Sequence, residues 1–243
     1  MTRAANLVTA VRCQRGAATI EFYIVAFFAF IPLLMAILQM GMFMVAKNTV
    51  NTAALAVARA GGASGGDRSA MQRAFANGVM PLYASTGLAA LGSGGVKEVT
   101  NGNYPLVYAG AIARARLETA LWPNQITILN PSAAAFVDFG INQPGVGRII
   151  PHTNMDIDKN IVGASSRQSR ADALLLKVEL RYCYEMVFPI IDVLITEVLK
   201  LSSADAGAQA CYLPKPITGR RGIPIVSQAV VRLTVAPIQG RFP

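Results

Sequence analysis

Only one histidine occurs in the 243-residue chain, and it restricts the acid–base and nucleophilic chemistry open to the side chains. His152 is followed by Asp156 and Asp158, a set that could ligate a cation or pair an imidazole with a carboxylate. The spacing argues against both. The stretch 151–156 opens on Pro151 and reads as a loop, without the helical histidine spacing or cysteine pairs from which metal sites are built. A serine or cysteine nucleophile would need His152 as its base, and no Gly-x-Ser-x-Gly elbow is present. Gly94-Gly95-Val96-Lys97-Glu98 lacks the hydroxyl after lysine and the preceding strand that a phosphate loop requires. Nothing selects a pair of carboxylates for proton transfer. The chain reads as a non-enzyme with no cofactor and no metal.

The carboxylate that stands out is Glu21. It sits five residues past Gly16, at the mouth of a run over 22–46 that contains no charged side chain. As a helix rising ~1.5 Å per residue, that run exceeds the ~30 Å hydrocarbon core of a bilayer. It reads as a membrane span, and an acid at its edge is costly enough to call for a functional reason. Pro32 removes an amide that would bond to the Phe28 carbonyl, so a kink or local opening is expected in mid-span. Past the span, Ala46, Val50, Ala53, Val57 and Ala60 form a narrow stripe of small apolar residues on a helix continuing to Gly61-Gly62. The stripe fits either a partner helix or the chain's own domain.

Composition agrees with an anchor plus a domain. Hydrophobic residues make up 53% and charged residues only 14%, yet beyond Gly62 polar, glycine and proline residues mix as in a folded globule. Three of the arginines behind the formal charge of +9 stand in the leader, at Arg3, Arg12 and Arg15. The remaining excess is dispersed, without the arginine run and interleaved aromatics of a nucleic-acid site, so no nucleic-acid partner is expected; it reads as solvated surface beside anionic lipid. Cys13 precedes Gly16, so a cut there would leave Cys183 and Cys211, an even count in a segment placed outside the cytoplasm. A disulfide and two unrelated thiols are the alternatives. The apolar run is too long for a secretory signal, and the Ala58-Arg59-Ala60 pattern lies far past it.

Gly16, followed by Glu21 and then Phe22-Tyr23, behind a basic leader and ahead of an apolar helix, resembles the processing site of type IV prepilins of the tight-adherence (Tad/Flp) pilus systems. The Arg-Gly-Ala-Ala opening at 15–18 and the alanine-rich 51–60 resemble TadE-like pseudopilins most. The resemblance implies a prepilin peptidase that cuts between Gly16 and Ala17, freeing an amine that is largely protonated at neutral pH. Glu21 lies four residues on, over the same helix face, and can meet that amine in its own chain or in a neighbour. The resemblance further implies a minor pseudopilin acting in pilus biogenesis, adhesion or secretion. Its partners would be the peptidase, other pilins or pseudopilins, the inner-membrane assembly platform and the lipid bilayer. Residues 1–16 would be the leader, 17–62 the transmembrane and assembly helix with Glu21, Phe22, Tyr23 and Pro32 as its assembly residues, and 63–243 a periplasmic globular domain, the N-terminus being cytoplasmic. The alternative is a signal-anchored periplasmic binding module or enzyme.

Beyond the span the patterning predicts an α+β, pilin-like domain of short helices and an antiparallel sheet. The glycine-rich 61–66 ends the first helix and forms a flexible joint. A helix over 68–80 carries Met71, Phe75 and Val79 on one face and stops before Pro81; 87–102 is loop; a second helix covers 108–121 and stops at Pro123. Short strands are expected at 125–129 and 135–139 around an Asn130-Pro131-Ser132 turn. The strongest strand alternates apolar Leu174, Leu176, Val178, Leu180, Tyr182 and Tyr184 with Leu175, Lys177, Glu179, Arg181, Cys183 and Glu185, putting Cys183 on the wet face. Pro189 opens an amphipathic helix with Ile190, Ile191, Leu194, Ile195, Val198 and Leu199 on one face, which suits the sheet, a partner or a membrane surface. A closing strand runs over 225–235, with Ala229, Val231, Leu233 and Val235 inward.

Overall fold

The computed structural model describes residues 17–84, 102, 104–121, 125–152, 160–202, 206–214 and 219–242. It is a mixed α+β structure in which one long apolar helix leads into short helices and antiparallel sheet. Helix α1 (Ala17–Val25) passes through a π turn (Ala26–Phe30) into α2 (Ile31–Ser64) with no non-helical residue between them. The π turn sits just ahead of Pro32 and has a direct cause. Proline cannot donate to the Phe28 carbonyl, and the Ile31 amide instead bonds to the Ala26 carbonyl, five residues back.

Gly61 and Gly62 do not end the helix as the glycine run suggests: both stay helical and buried. The chain turns one step later, at Gly65 (φ 62°) and Gly66 (φ 84°), left-handed conformations that only glycine adopts without strain. Nor is the joint slack. A side chain on Gly66 would collide with the Phe242 ring, and the Gly62 carbonyl accepts from the Thr234 amide at 3.1 Å. Asp67 then caps α3 (Arg68–Val79) by accepting from the Ser69 amide at 3.2 Å. Met71, Phe75 and Val79 are buried against α2, and the chain continues through Pro81 as a 3-10 turn (Met80–Tyr83) instead of stopping before it.

Helix α4 (Tyr104–Leu121) starts a turn earlier than its sequence pattern suggests, with Pro105 placed in the first turn where a missing amide costs nothing. The 87–102 loop, apart from residue 102, and Pro123 lie outside the described residues. Strand β1 (Ile126–Asn130) follows. The next expected strand is a helix, α5 (Ala133–Phe139). Three consecutive alanines favour helix, and the Ser132 hydroxyl accepts from the Ala135 amide at 3.4 Å as an N-cap, which outweighs the alternation of Ala135, Val137 and Phe139. A hairpin of β2 (Ile141–Gln143) and β3 (Gly147–Ile149) and a one-turn helix α6 (Arg170–Ala173) lead to β4 (Leu175–Glu185). After it come α7 (Pro189–Ser202), α8 (Ala206–Cys211) and β5 (Gly222–Arg232).

The main sheet has the order β1-β4-β5, both pairs antiparallel, with Ile126 opposite Leu180 and Val178 opposite Ala229. Leu176, Val178, Leu180 and Tyr182 point into a core shared with Val50, Val57, Met71, Phe75 and Phe136. The opposite face carries Lys177, Glu179, Arg181 and Gln228, with Gln228 donating to Glu179 at 2.8 Å. Two corrections follow from the register. The closing strand spans Gly222–Arg232, so Val235 lies beyond it and is exposed. Cys183, on the expected wet face, is buried because the α8 segment covers it.

Candidate functional site

Among the described residues one helix is long and apolar enough to cross a membrane, Thr19–Ser64. Its two halves face different surroundings. From residue 19 to Leu38 no side chain is buried: Ile20, Phe22, Ile24, Phe27, Phe28, Leu33 and Leu34 are all exposed. From Ala46 onward the helix is the spine of the domain, with Ala46, Val50, Ala53, Ala54, Val57 and Ala58 at 1% exposure or less. The small-residue stripe therefore meets α3 and the sheet of its own chain, and small side chains are what let these elements approach. At Gly78 on α3, an added Cβ would lie 2.6 Å from the Ala53 Cβ and 2.8 Å from its Cα.

Glu21, Phe22 and Tyr23 occupy the first turns of this helix, fully on the surface, with the two rings in edge-to-face contact at 6.0 Å. Glu21 is four residues beyond Ala17, the first described helical residue, so the two positions share a face. Gly16 lies outside the described residues. Pro32 sits where the π turn hands over to α2. Sequence reasoning found these positions from charge placement and spacing alone, because a lone acid beside an uncharged run needs no tertiary information to be noticed.

It missed Gln39. Among the described side chains of the long helix it is the first buried one, 3% exposed, and a polar one. Its Oε1 accepts from the Val187 amide at 3.2 Å and the Phe188 amide at 3.4 Å, just before α7, across 148 residues of sequence. Phe43, one turn on, packs edge-to-face on Tyr184 at 5.9 Å. The junction between bare helix and domain is thus held by a side-chain clamp. Gln39→Leu removes two hydrogen bonds, each contributing about 0.5 to 1.5 kcal/mol, so the full chain in detergent is expected to lose about 1 to 3 kcal/mol of stability by chemical unfolding. Val187 is also expected to become more accessible to protease.

A second polar cluster lies in the core. The Tyr83 and Tyr182 hydroxyls are 2.7 Å apart, and burial pushes both above the usual phenol range, so the pair stays neutral and joins the 3-10 turn to β4. Nearby, Arg114 bonds Glu118 at 3.0 Å and lies 3.9 Å from Glu185. Arg114 and Glu118 are an i,i+4 pair on α4, legible in sequence, whereas Tyr83 with Tyr182 and Arg114 with Glu185 are far apart in the chain and no local pattern announces them. All of these groups pair with one another, as structural bonds do. His152 Nε2 pairs with the Leu233 carbonyl at 2.9 Å, while Asp156 and Asp158 lie outside the described residues. Among the described residues no group of three or more histidine, cysteine or acidic side chains is gathered as for a metal.

The Sγ atoms of Cys183 and Cys211 are bonded, with Cα atoms 5.3 Å apart. Helix α7 divides differently from its sequence pattern. Ile195 packs on the core beside fully buried Thr196, whose hydroxyl is satisfied by the Val193 carbonyl at 3.2 Å, whereas Val198, grouped with Ile195 by sequence, is 61% exposed.

Against known proteins, residues 16–59 match the family model described as TadE-like protein, under a fifth of the chain. The match begins at Gly16, takes in Glu21 and the whole bare half of the helix, and ends where α2 is buried in the domain. No curated protein and no solved structure gives a significant match.

Proposed function

With a TadE-like segment over residues 16–59 as the premise, we propose that this chain is a minor pseudopilin of a bacterial Tad/Flp pilus system. A prepilin peptidase cuts it after Gly16, the helix holds it in the inner membrane with the leader side in the cytoplasm, and the domain stands in the periplasm. The observation that carries the reading is the unbroken helix from Ala17, which buries no described side chain before Gln39 and presents an acid in its second turn. Such a surface needs lipid or neighbouring subunits to cover it. Size supports minor status, since the major subunits of these pili, by family resemblance, lack a globular domain.

Glu21 has a specific part in this reading. Cleavage creates an ammonium at the positive pole of a helix dipole, and a carboxylate four residues on offsets it. In a low-dielectric setting an unpaired charge is strongly disfavoured, so an acid and an amine from adjacent subunits would set their register. Mass spectrometry of the native membrane protein is expected to find Ala17 at the N-terminus; a chain beginning at Met1 refutes processing at Gly16. Glu21→Gln is expected to leave that cleavage intact and to reduce surface pili several-fold. Full piliation in this variant removes the role assigned to the acid.

A further inference from the structure

The membrane-proximal end of the domain is set by the direction of β4. This strand runs antiparallel to α2: a Cβ on Gly61 would lie 2.7 Å from the Leu176 side chain, whereas Tyr184, near the strand's other end, meets Phe43. Strand β5 begins at that same end, with Gly222 opposite Glu185. Met186 and Arg221 are joined there by a backbone bond of 3.2 Å, so the connection between β4 and β5, which carries α7, leaves and returns at that end. The Cys183–Cys211 bond ties the connection down, and Gln39 holds its first amides against the anchor helix.

Depth follows from the same contacts. Gln39 is 18 residues past Glu21, about 27 Å along a helix, while a hydrocarbon core is ~30 Å thick. With Glu21 at one edge of the core, Val187 and Phe188 stand at the other. From there α7 turns outward a set of apolar side chains that the domain does not cover: Val193 at 45%, Val198 at 61% and Leu201 at 91% exposure. Its inner side is pinned by Ile195, by Thr196 and by Arg221, whose Nη1 donates to the Thr196 hydroxyl at 3.3 Å and to the Glu197 carboxylate at 2.7 Å. Lys200 bonds the same carboxylate at 2.9 Å, which offsets the charge of exposed Glu197.

We infer that α7 is a second membrane contact, an interfacial helix whose Val193, Val198 and Leu201 enter the boundary of the domain-side leaflet. The inference rests on reading the N-terminal helix as the anchor. Lipid is the occupant for three reasons. The exposed apolar side chains of α7 follow directly on Val187, itself exposed and held against the anchor helix by its amide bond to Gln39. The depth matches the hydrocarbon boundary. Arg220 is exposed where the connection returns, and Lys200 and Arg221 together outnumber the single Glu197 charge they bind, which leaves net positive charge where anionic headgroups would lie. The single anchor would then have a fixed tilt and rotation, because a rigid domain would touch the bilayer at two places.

The test uses the full chain in vesicles of phosphatidylethanolamine and phosphatidylglycerol with brominated acyl chains. In a Trp122→Phe background, which removes the sole tryptophan, single tryptophans replace Val198, Leu201, Leu34 or Val235. Emission at 198 and 201 is expected to be blue-shifted and quenched at least twofold by bromolipid, with Leu34→Trp quenched and Val235→Trp, at the far end of the domain, unaffected. Quenching at 34 but not at 198 and 201 overturns the second contact and leaves the anchor standing. A blue shift at 198 and 201 without quenching also overturns it, in favour of a protein covering this face. No quenching at 34 refutes the anchor and the inference together.

Discussion

Gly78→Leu is expected to abolish the docking of α3 on the anchor helix and with it the folded domain. A β-carbon at this position already lies 2.6 Å from one atom of Ala53 and 2.8 Å from another, and the second is backbone, which cannot swing aside. Gly78→Ala is therefore expected to cost about 1 to 3 kcal/mol, as overpacked cores do, and the larger side chain more. The readout is the chemical unfolding midpoint of the full chain in detergent, followed by the loss of near-ultraviolet signal from Phe75, whose ring packs on Tyr182 at 6.3 Å. Gly41→Ala is the matched control. It adds a β-carbon to α2, the helix on which α3 docks, with nothing within 4 Å to meet it, and is expected to leave the midpoint unchanged. Equal midpoints for Gly78→Leu and Gly41→Ala are incompatible with the packing described here.

The second large effect is expected from the cysteine pair. Opening a link that spans 28 residues removes about 3.5 kcal/mol on the chain-entropy account. The double variant Cys183→Ala/Cys211→Ala is expected to unfold at correspondingly lower denaturant, and reductant is expected to bring the unaltered chain to the same midpoint. The loss should be local at first. Residues 186–221 would open before the core of α2, α3 and β4, because the lost bond is the covalent tie between that connection and β4. Proteolysis confined to this segment after reduction is the expected early sign. An unchanged midpoint in reductant would mean that the thiols are not bonded in the native protein.

Some of this was legible in sequence because its physics is local. The absence of charge over residues 22–46 marks a run able to cross a membrane, since length and hydropathy are read from composition alone. The alternation of residues 174–185 marks β4 because a strand with one buried face has a period of two. Pro32 marked a defect, since a missing amide is a missing bond in any helix. Other readings failed where two local signals competed. Residues 135–139 alternate like a strand, but the alanines and the Ser132 cap favour a helix by amounts that a period count does not weigh. In α7, a threonine took a buried place that pattern reserves for an apolar side chain, because its hydroxyl found a carbonyl within its own helix.

By itself, then, the sequence determined that the chain has a basic N-terminal stretch, an uncharged apolar run with one acid at its mouth, and α+β patterning behind it, along with the TadE-like character of residues 16–59. These follow from charge, periodicity and spacing, which act between near neighbours. Only the tertiary structure decided that the second half of the helix is the domain's own core, that the small-residue stripe serves α3 and the sheet, and that Gln39 clamps the start of α7. It also decided which end of the domain faces the anchor. Those outcomes depend on which distant surfaces meet, such as Gly78 with Ala53, Phe43 with Tyr184 and Cys183 with Cys211. A contact across 25 to 149 residues leaves no periodic trace in either partner.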